Sequence, residues 1–266
     1  MKTITRMDLT DGAPSMWPPR HAVITGASSG VGRAMAIQLS ARDVRLSLAG
    51  RDEGRLGEVA FACRGRGAKV DLIAVDVRDR AGMGKAMLEA HGRQPVDLLI
   101  ANAGVSGGTD GDARAIIGIN ISGMLNTVEP LIEPMIARGE GQIAIMSSLA
   151  GFKSFPNAPL YCASKAAVRS YGEALDARLR ARGVAVSVLC PGFMKTPLTD
   201  ANDFPMPFMV SAEEGARRLL AGIRKRKSRI AFPWPVYATV RLLEFLPAGW
   251  SASILARSAG KRSYKE

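Results

Sequence analysis

TGASSGVG, residues 25–32, lies between a run of strand character and a segment of helical periodicity. The run is HAVIT, residues 21–25, and after the quoted stretch the apolar residues Ala34, Ile37 and Ala41 recur on one helical face. Glycines in such a turn permit positive φ and let the backbone approach a pyrophosphate, which the free amides at a helix N-terminus attract. A glycine-rich turn alone is weak evidence, but its place between the first strand and the first helix predicts a dinucleotide-binding turn.

The rest of the chain repeats this alternation of strands and helices. Strands are predicted at residues 21–25, 44–48, 70–75, 96–101, 142–146, 184–189 and 230–232, and helices at 33–41, 52–64, 80–90, 113–136, 157–182 and 211–225. Nearly continuous apolar strands that alternate with helices indicate a parallel sheet covered on both faces, in a single α/β domain. In such sheets ligands bind beyond the carboxyl ends of the strands, so the residues that follow each strand are the candidates for a site.

The composition restricts the class of protein. A length of 266 residues with 47% hydrophobic and 23% charged residues is typical of one globular domain and excludes general disorder. Three cysteines, Cys63, Cys162 and Cys190, match no metal motif and are expected to be unpaired thiols in a reducing compartment. The two histidines, His21 and His91, are far apart in the chain, so no metal site is expected.

The first residues differ in composition from residues 20–232, which we expect to form the dinucleotide-binding catalytic domain. Residues 1–19 contain prolines and acidic residues but no continuous apolar core, so we expect a flexible arm and no signal peptide. No run of about 18 apolar residues is present, as a membrane-spanning helix needs. We therefore expect a soluble, cytoplasmic protein, and peripheral association with a membrane stays open.

The end of the second predicted strand bears on the choice of dinucleotide. A carboxylate there would hydrogen-bond the ribose hydroxyl of NAD, but Gly50 supplies none. Arg51 offers a fork of donors suited to a 2′-phosphate, which favours NADP(H) and leaves NAD(H) as the alternative. Arg51 could instead be a solvated side chain that pairs with the neighbouring Asp52 or Glu53.

Polar residues follow the later strands as well. The third strand is followed by Asp76-Val77, the fourth by Asn102-Ala103-Gly104, and the fifth ends in Ser147-Ser148. Tyr161 comes 13 residues after Ser148, and Lys165 follows one helical turn later, so both project from one face of a helix. Tyr-x-x-x-Lys alone is common, but here it begins a helix after a strand that ends in serine, which points to a site.

These motifs together resemble those of the short-chain dehydrogenase/reductase family, in its single-domain form with Tyr-x-x-x-Lys. The matching elements occur in the family's order within residues 20–232: TGASSGVG at 25–32, DV at 76–77, NAG at 102–104, Asn120, SSLAG at 147–151, YCASK at 161–165 and PGFMKT at 191–196. The chain departs from the family pattern at two positions. Ala101 stands where an asparagine is common, and Ser29 stands where some NADP-using members carry arginine, so Arg51 is the main support for NADP.

The resemblance implies a doubly wound, Rossmann-type parallel sheet, a nicotinamide cofactor, and hydride transfer between a carbonyl and an alcohol. It implies that Tyr161 is the proton donor or acceptor and that Ser148 holds the substrate oxygen. Lys165 would bind the nicotinamide ribose, and its ammonium would lower the tyrosine pKa from its ordinary value of about 10. Asn120, which alone would be read as a satisfied core amide, would hold a water that connects Lys165 to solvent. The family also implies a homodimer or homotetramer.

The resemblance further assigns the cofactor contacts. They are expected from Gly26, Ser28, Ser29, Gly30, Val31, Gly32, Arg51, Asp76, Val77, Asn102, Ala103, Gly104, Tyr161, Lys165, Pro191, Gly192 and Thr196. A catalytically silent, cofactor-sensing binding protein of the same fold is the alternative function. The complete set Asn120, Ser148, Tyr161 and Lys165 favours the enzyme, since a sensor would not need all four.

The segment after Pro191-Gly192, which usually shapes the substrate pocket in this family, is rich in apolar side chains. It contains Phe193, Met194, Leu198, Phe204, Met206, Pro207, Phe208, Met209 and Val210. Methionines and aromatic rings suit an adaptable apolar pocket, so a hydrophobic, lipid-like, terpenoid or steroid-like carbonyl or alcohol is the expected substrate. The alternative is that these residues only pack on the domain.

Residues 233–266 are expected to form an amphipathic, basic C-terminal extension with two helical segments. Residues 211–266 hold 12 basic and 4 acidic residues of a chain with a net charge of +12. One interpretation is an arm that packs on a neighbouring subunit or over the pocket. Another is contact with a membrane surface, with Trp234 and Trp250 at the boundary. The chain has no recognisable nucleic-acid-reading motif, so nucleic acid is not an expected partner.

Overall fold

The structure is a computed structural model, and it describes residues 17–106, 113–155, 158–200 and 206–258. Most of the predicted N-terminal arm, the predicted pocket residue Phe204 and the end of the basic extension lie outside these residues. Within them the chain alternates between strands and helices, as the sequence predicts.

Nine strands are described, and seven of them form the main sheet. Their bounds are β1 His21–Thr25, β2 Arg45–Gly50, β3 Lys69–Ala74, β4 Leu98–Ala101, β5 Gly141–Met146, β6 Val184–Pro191, β7 Met194–Lys195, β8 Val210–Ser211 and β9 Arg229–Phe232. The main sheet is parallel throughout, in the order β3-β2-β1-β4-β5-β6-β9, and β7 pairs with β8. The strand order reverses between β1 and β4, which creates a crevice at their carboxyl ends.

Helices cover both faces of this sheet. Their bounds are α1 Gly30–Leu39, α2 Glu53–Arg64, α3 Arg80–Arg93, α4 Ala113–Ile117, α5 Gly123–Arg138, α6 Pro159–Leu179, α7 Pro197–Asp200, α8 Ala212–Arg224, α9 Trp234–Phe245 and α10 Ala248–Ser258. One face buries apolar residues of α1, α2 and α8, such as Met35, Leu56 and Leu219. The other buries residues of α3, α5 and α6, such as Leu131 and Val168. The predicted doubly wound α/β fold is confirmed.

Two elements reach closer to the crevice than the sequence predicts. α1 begins at Gly30, three residues before the predicted start, because the glycines of the turn hide the first helical turn from a propensity argument. β6 continues to Pro191, where it still pairs with Phe232 of β9. Proline is tolerated there because it stands at the last position of the strand. The phosphate-binding turn and the end of β6 are thereby joined directly to regular elements.

The predicted helix 113–136 contains a π turn, Gly118–Ser122, between α4 and α5. A π turn inserts one extra residue into the helix and is frequent at functional sites. By length and composition alone the continuous segment Ala113–Arg138 could cross a membrane, but 61% of its most apolar window is buried inside the fold. Its apolar side therefore faces the sheet, where it contributes Val128, Leu131 and Met135 to the core.

The C-terminal extension is helical, as predicted, and α9 packs on the body of the same chain. Its residues Val236, Tyr237 and Val240 contact the short 3-10 turn Leu149–Gly151 and the following Phe152. α9 also starts directly after the carboxyl end of β9. The extension therefore adjoins the edge of the sheet at which ligands bind in this class of fold.

Candidate active site

The glycine-rich turn connects β1 to α1, and its conformation requires glycine at three positions. Gly26 and Gly30 have φ values of +64° and +51°, in the region that other residues disfavour. A Cβ on Gly32 would stand 2.2 Å from the carbonyl oxygen of Gly26, so no side chain fits there. Ser28 and Ser29 are half-buried in the turn, and Val31 is buried. The first backbone amides of α1 are thus available at the crevice, the arrangement that binds phosphate.

Asn102 ties this turn to the end of β4. Its Nδ2 donates to the carbonyl oxygens of Thr25 at 3.0 Å and Gly26 at 3.3 Å. In return, Thr25 Oγ1 accepts from the backbone amides of Asn102 at 3.1 Å and Ala103 at 3.2 Å. A Cβ on Gly26 would stand 2.9 Å from the Ala103 Cα, so the two strand ends are in direct backbone contact. The cradle fits a dinucleotide pyrophosphate, because its backbone lies exposed where side chains would fill the space.

The segment after β6 borders the same turn. The Thr196 methyl lies 3.2 Å from the position that a Cβ on Gly30 would take. The backbone amide of Gly192 donates to the carbonyl oxygen of Phe232 at 2.7 Å. A Cβ on Gly192 would stand 2.9 Å from Pro233, so the chain turns tightly as it leaves the sheet. The structure therefore brings the predicted residues Gly192 and Thr196 to the cofactor crevice.

Arg51 follows β2, and its side chain is 60% exposed at this edge of the sheet. Its Nη1 lies 4.0 Å from Asp76 Oδ2, a long contact. Asp76 is held more closely by Arg78, which donates to Oδ2 at 2.7 Å and lowers the pKa of this carboxyl. Asp52, which the sequence leaves as an alternative partner of Arg51, accepts instead from Arg55 and caps α2. Among the residues that the structure describes, the Arg51 guanidinium therefore makes only a weak ionic contact.

α6 presents Tyr161 and Lys165 beside the end of β5. Lys165 is buried, and its Nζ donates to the carbonyl oxygen of Met146 at 2.9 Å. The Lys165 carbonyl accepts from Ser147 Oγ at 2.7 Å, which joins α6 to the end of the strand. Lys165 Nζ lies 5.7 Å from the centroid of the Tyr161 ring, and Ser148 hydrogen-bonds the Tyr161 hydroxyl. The predicted group Ser148, Tyr161 and Lys165 is therefore brought together.

Burial dominates the electrostatics of this group. It raises the pKa of Tyr161, while the hydrogen bond from Ser148 acts in the opposite direction. It lowers the pKa of Lys165 from 10.5 to about 8. In the chain alone the Tyr161 pKa is therefore raised, because the cost of burying a phenolate exceeds the effect of the Ser148 hydrogen bond, and the lowering by Lys165 stays a prediction. A positive nicotinamide ring would add the charge that favours the phenolate.

Asn120 lies in the π turn, and its buried side-chain amide is bound on both sides. Nδ2 donates to the Val105 carbonyl oxygen and to Ser164 Oγ, both at 2.9 Å, and Oδ1 accepts from the Val105 amide at 2.8 Å. The amide therefore joins the segment after β4 to α6. A Cβ on Gly104 would stand 3.1 Å from Asn120 Oδ1 and 3.3 Å from Lys165 Nζ, so glycine keeps this space clear of a side chain. A water between Asn120 and Lys165 remains a prediction.

Four residues that support the site were not identified from the sequence as members of it. Ser147 and Ser164 bind the backbone of Lys165 and the side chain of Asn120, respectively. Thr25 organises the cradle, and Asn126 of α5 donates to the Val77 carbonyl oxygen at 2.9 Å. Asn126 had a usable signal, because it is a second asparagine on a largely apolar helix. The three hydroxyls lie within the quoted motifs at 25–32, 147–151 and 161–165, but local spacing alone assigns them no role.

Comparison with known proteins agrees with this geometry. Residues 20–204 match the family model described as short chain dehydrogenase. An uncharacterised oxidoreductase of Myxococcus xanthus is 34% identical over 238 residues, which cover 86% of this chain and 93% of that protein. The matched part therefore includes the cradle, the π turn and the Tyr161–Lys165 group.

Two solved structures are similar over nearly their whole length. A short-chain dehydrogenase/reductase of Burkholderia phymatum in complex with NAD is 28% identical, with a TM-score of 0.77 over 91% of this chain and 97% of that one. A short-chain dehydrogenase of Sphingobium yanoikuyae in complex with NADPH shares the fold at 23% identity, with a TM-score of 0.76 over 92% and 98%. The chain belongs to the short-chain dehydrogenase/reductase family and is an oxidoreductase that works with a nicotinamide cofactor.

Proposed function

We propose that this protein is an NADP(H)-dependent oxidoreductase that interconverts a hydrophobic ketone or aldehyde and its alcohol. The observation that carries the cofactor preference is Arg51, whose exposed guanidinium stands where β2 ends. In dinucleotide-binding sheets this position meets the adenosine ribose, and arginine there accommodates a 2′-phosphate. The similar structures hold NAD in one case and NADPH in the other, so the argument depends on this chain's own residues.

The acidic neighbours of Arg51 support the same preference. NAD is selected by a carboxylate that accepts from the ribose hydroxyl, and Gly50 cannot supply one. Asp52 is turned to the amide of Arg55, at 2.9 Å. Asp76 is bound by Arg78, which offsets the repulsion that its charge would exert on a phosphate. The local charge therefore favours an additional phosphate group.

The catalytic step on the protein side is a proton transfer at the Tyr161 hydroxyl. When bound, the dinucleotide supplies or accepts the hydride. Ser148 hydrogen-bonds the hydroxyl of Tyr161 and holds the substrate oxygen beside it. In the reducing direction Tyr161 donates its proton to this oxygen, and positive charge beside the phenolate would offset the burial that raises its pKa. Lys165, held by Met146, binds the nicotinamide ribose and carries the positive charge that stabilises the resulting phenolate.

The substrate class follows from the segment after β6. Met194 is buried against the body of the protein, whereas Leu198, Phe208 and Met209 are exposed. These exposed side chains lie in the same chain segment as Thr196, which borders the cofactor turn. Exposed aromatic and thioether side chains beside a reaction site suit an apolar substrate. Packing on the domain, the alternative explanation for these apolar residues, therefore accounts for Met194 but not for the three exposed side chains.

The cofactor preference is tested by titrating the protein with NADPH and NADH and following the fluorescence of the bound dinucleotide. We expect tighter binding of NADPH. Arg51→Asp should weaken NADPH binding by about 10- to 100-fold, the size of a lost charge-assisted hydrogen bond, and leave NADH binding nearly unchanged. Arg66→Asp makes the same charge change on an exposed residue beyond the other end of α2 and should have little effect. An unchanged preference in Arg51→Asp would contradict the proposal.

A further inference from the structure

α9 uses its charged residues for contacts with its own chain. Its charged residues are Arg241 and Glu244, which pair at 2.9 Å. Glu244 also lies 3.7 Å from Arg169 of α6. Tyr237 of α9 accepts through its hydroxyl from Arg229 of β9 at 3.1 Å. The charged groups of α9 are therefore paired with each other and with the protein body, beside the buried residues Val240 and Leu243.

The ring of Phe152 holds α9 in this orientation. The guanidinium carbons of Arg169, Arg229 and Arg241 lie 4.4, 5.2 and 5.8 Å from the ring centroid. The Tyr237 ring packs edge-on against it, with the centroids 5.3 Å apart. Cation–π contacts gain strength when they are shielded from water, as they are in this partly buried cluster. Rotation of α9 would break these contacts, so its outer side is fixed.

The outer side of α9 is apolar. Trp234, Leu242 and Phe245 are 75%, 68% and 79% exposed, and their spacing places them on one side of the helix. Trp250 and Ile254, one helical turn apart on α10, are exposed as well. Exposed large apolar side chains that cluster in this way mark a surface for a partner.

The charge of the adjoining chain indicates which partner this is. Between Glu244 and Glu266 the sequence has no acidic residue and four basic ones, Arg257, Lys261, Arg262 and Lys265. Exposed tryptophan, phenylalanine and leucine beside basic residues is the composition that binds the interface of an anionic bilayer. An anionic lipid surface attracts such a segment, whereas a second copy of this chain, with a net charge of +12, repels it.

We propose that the outer side of α9 and α10 docks the protein on a lipid surface with anionic headgroups. The aromatic and leucine side chains enter the headgroup boundary, and the basic residues are attracted by the lipid charge. Because α9 begins at the carboxyl end of β9 and packs on Phe152, the docked surface adjoins the edge of the sheet that holds the active site. The proposal goes beyond the oxidoreductase activity and does not depend on which carbonyl compound is reduced.

The test is co-sedimentation of the full chain with phosphatidylcholine vesicles prepared with and without phosphatidylglycerol. The variant Trp234→Ser/Leu242→Ser/Phe245→Ser removes the apolar side of α9. The matched control Phe61→Ser/Leu88→Ser removes exposed apolar residues of α2 and α3, where Phe61 is 82% exposed. Circular dichroism verifies that both variants are folded, and sedimentation velocity reports their oligomeric state.

We expect the natural chain and the control to bind vesicles that contain phosphatidylglycerol, and to bind pure phosphatidylcholine less. The α9 variant should bind at least about tenfold more weakly, since it lacks three apolar side chains that the bilayer interface would bury. Absence of vesicle binding by the natural chain would overturn the proposal, and so would equal binding by the folded α9 variant. An oligomer that the α9 variant breaks, without vesicle binding by the natural chain, would assign this surface to a second copy instead.

Discussion

Polar side chains gather at both edges of the main sheet, but the two edges use them differently. At the amino edge, Asp97 accepts from the Arg20 amide at 2.9 Å and lies 3.3 Å from Arg138. Next to it, Arg45 donates to Asp71 at 2.6 Å. These groups find their partners on neighbouring strands and helices of the same chain. Apart from Arg138 Nη1, which is buried without a hydrogen-bond partner among the described residues, the amino edge is therefore a set of paired contacts that serves stability.

At the carboxyl edge the polar groups are held by the chain but point to the crevice. Lys165 has one backbone acceptor, Met146, and a pKa of about 8 that reflects its burial. Arg51 makes only a 4.0 Å contact with Asp76. Perturbed pKa values and weakly paired charges in a crevice are typical of functional sites. The comparison teaches that polar side chains at a strand end indicate function where they face a crevice with weakly paired charges and perturbed pKa values.

The largest effect on activity is expected from Tyr161→Phe, at the carboxyl edge of the sheet. This change removes the proton that is transferred and should reduce turnover by about 10²- to 10⁴-fold, the usual contribution of a general acid. NADPH binding should change little, because the cradle at the glycine-rich turn is untouched. Steady-state kinetics with an apolar ketone, combined with a fluorescence titration, measures both effects. Near-full activity in this variant would show that another group transfers the proton.

Lys165→Met should lower the activity of the protein but raise its stability at pH 7. Turnover should fall by about 100-fold or more, because the phenolate loses its cation. In the natural chain the folded-state pKa of about 8 lies below the ordinary 10.5, so the cost of burying the ammonium is complete below pH 8 and disappears as the pH rises to 10.5. At pH 7 the variant should therefore be more stable by about 1 kcal/mol, after the lost hydrogen bond to Met146 is subtracted.

Urea unfolding of both proteins at pH 7 and at pH 10.5 checks this prediction. The stability advantage of Lys165→Met should shrink at the higher pH, where the natural lysine is neutral in the folded state and about half neutral in the unfolded state. Lys165→Arg serves as the control, since it keeps the charge and should show no stability gain. A variant that is less stable than the natural chain at pH 7 would contradict the proposed burial cost.

The smallest effect on activity is expected at the amino edge, from His21→Phe. The buried His21 donates through Nδ1 to the Gln94 carbonyl oxygen at 2.7 Å, so its Nε2 accepts from Ser47 at 2.9 Å. The substitution leaves both partners unsatisfied and should cost about 1–3 kcal/mol of stability at pH 7. Turnover of the folded variant should be unchanged, because these contacts lie at the edge opposite to the site.

His21 also contributes to the pH dependence of the unfolding free energy. Burial lowers its pKa below 6.5, so the neutral form stabilises the fold above pH 6.5 and this contribution is lost as the pH falls below that value. His21→Phe should have a flatter dependence of the unfolding free energy on pH below 6.5. Thermal unfolding across this range measures the slope, and an equal slope in both proteins would assign the acid sensitivity to other groups.

The main sheet and its order of elements could be predicted because each strand is an apolar run and each following helix has its own periodicity. The short strands β7 and β8 were missed, since two residues carry no period. The π turn was missed as well. Its Asn120 is held by Val105 and Ser164, 15 and 44 residues away in the chain, and no local pattern contains those partners.

The proximity of Tyr161 and Lys165 could be predicted because it depends on local spacing, whereas the contacts of the π turn are made with distant parts of the chain. Tyr161 and Lys165 are one helical turn apart, so their spacing alone places them together. The direction of their pKa shifts depends on burial by distant elements, which raises the pKa of Tyr161 and lowers that of Lys165, and no local pattern contains those elements. The polar groups of α9 also find their partners, such as Arg229 and Phe152, through the fold and not through neighbouring sequence.

The crowded contact at Gly32 has a consequence for how this enzyme can evolve. With a Cβ position only 2.2 Å from the Gly26 carbonyl oxygen, the pyrophosphate cradle tolerates almost no mutation. Arg51, by contrast, is exposed and can be exchanged without repacking a neighbour. Under the role proposed for Arg51, the choice of nicotinamide cofactor and the hold on its pyrophosphate are separable traits: the first can change by single surface mutations while the second stays invariant.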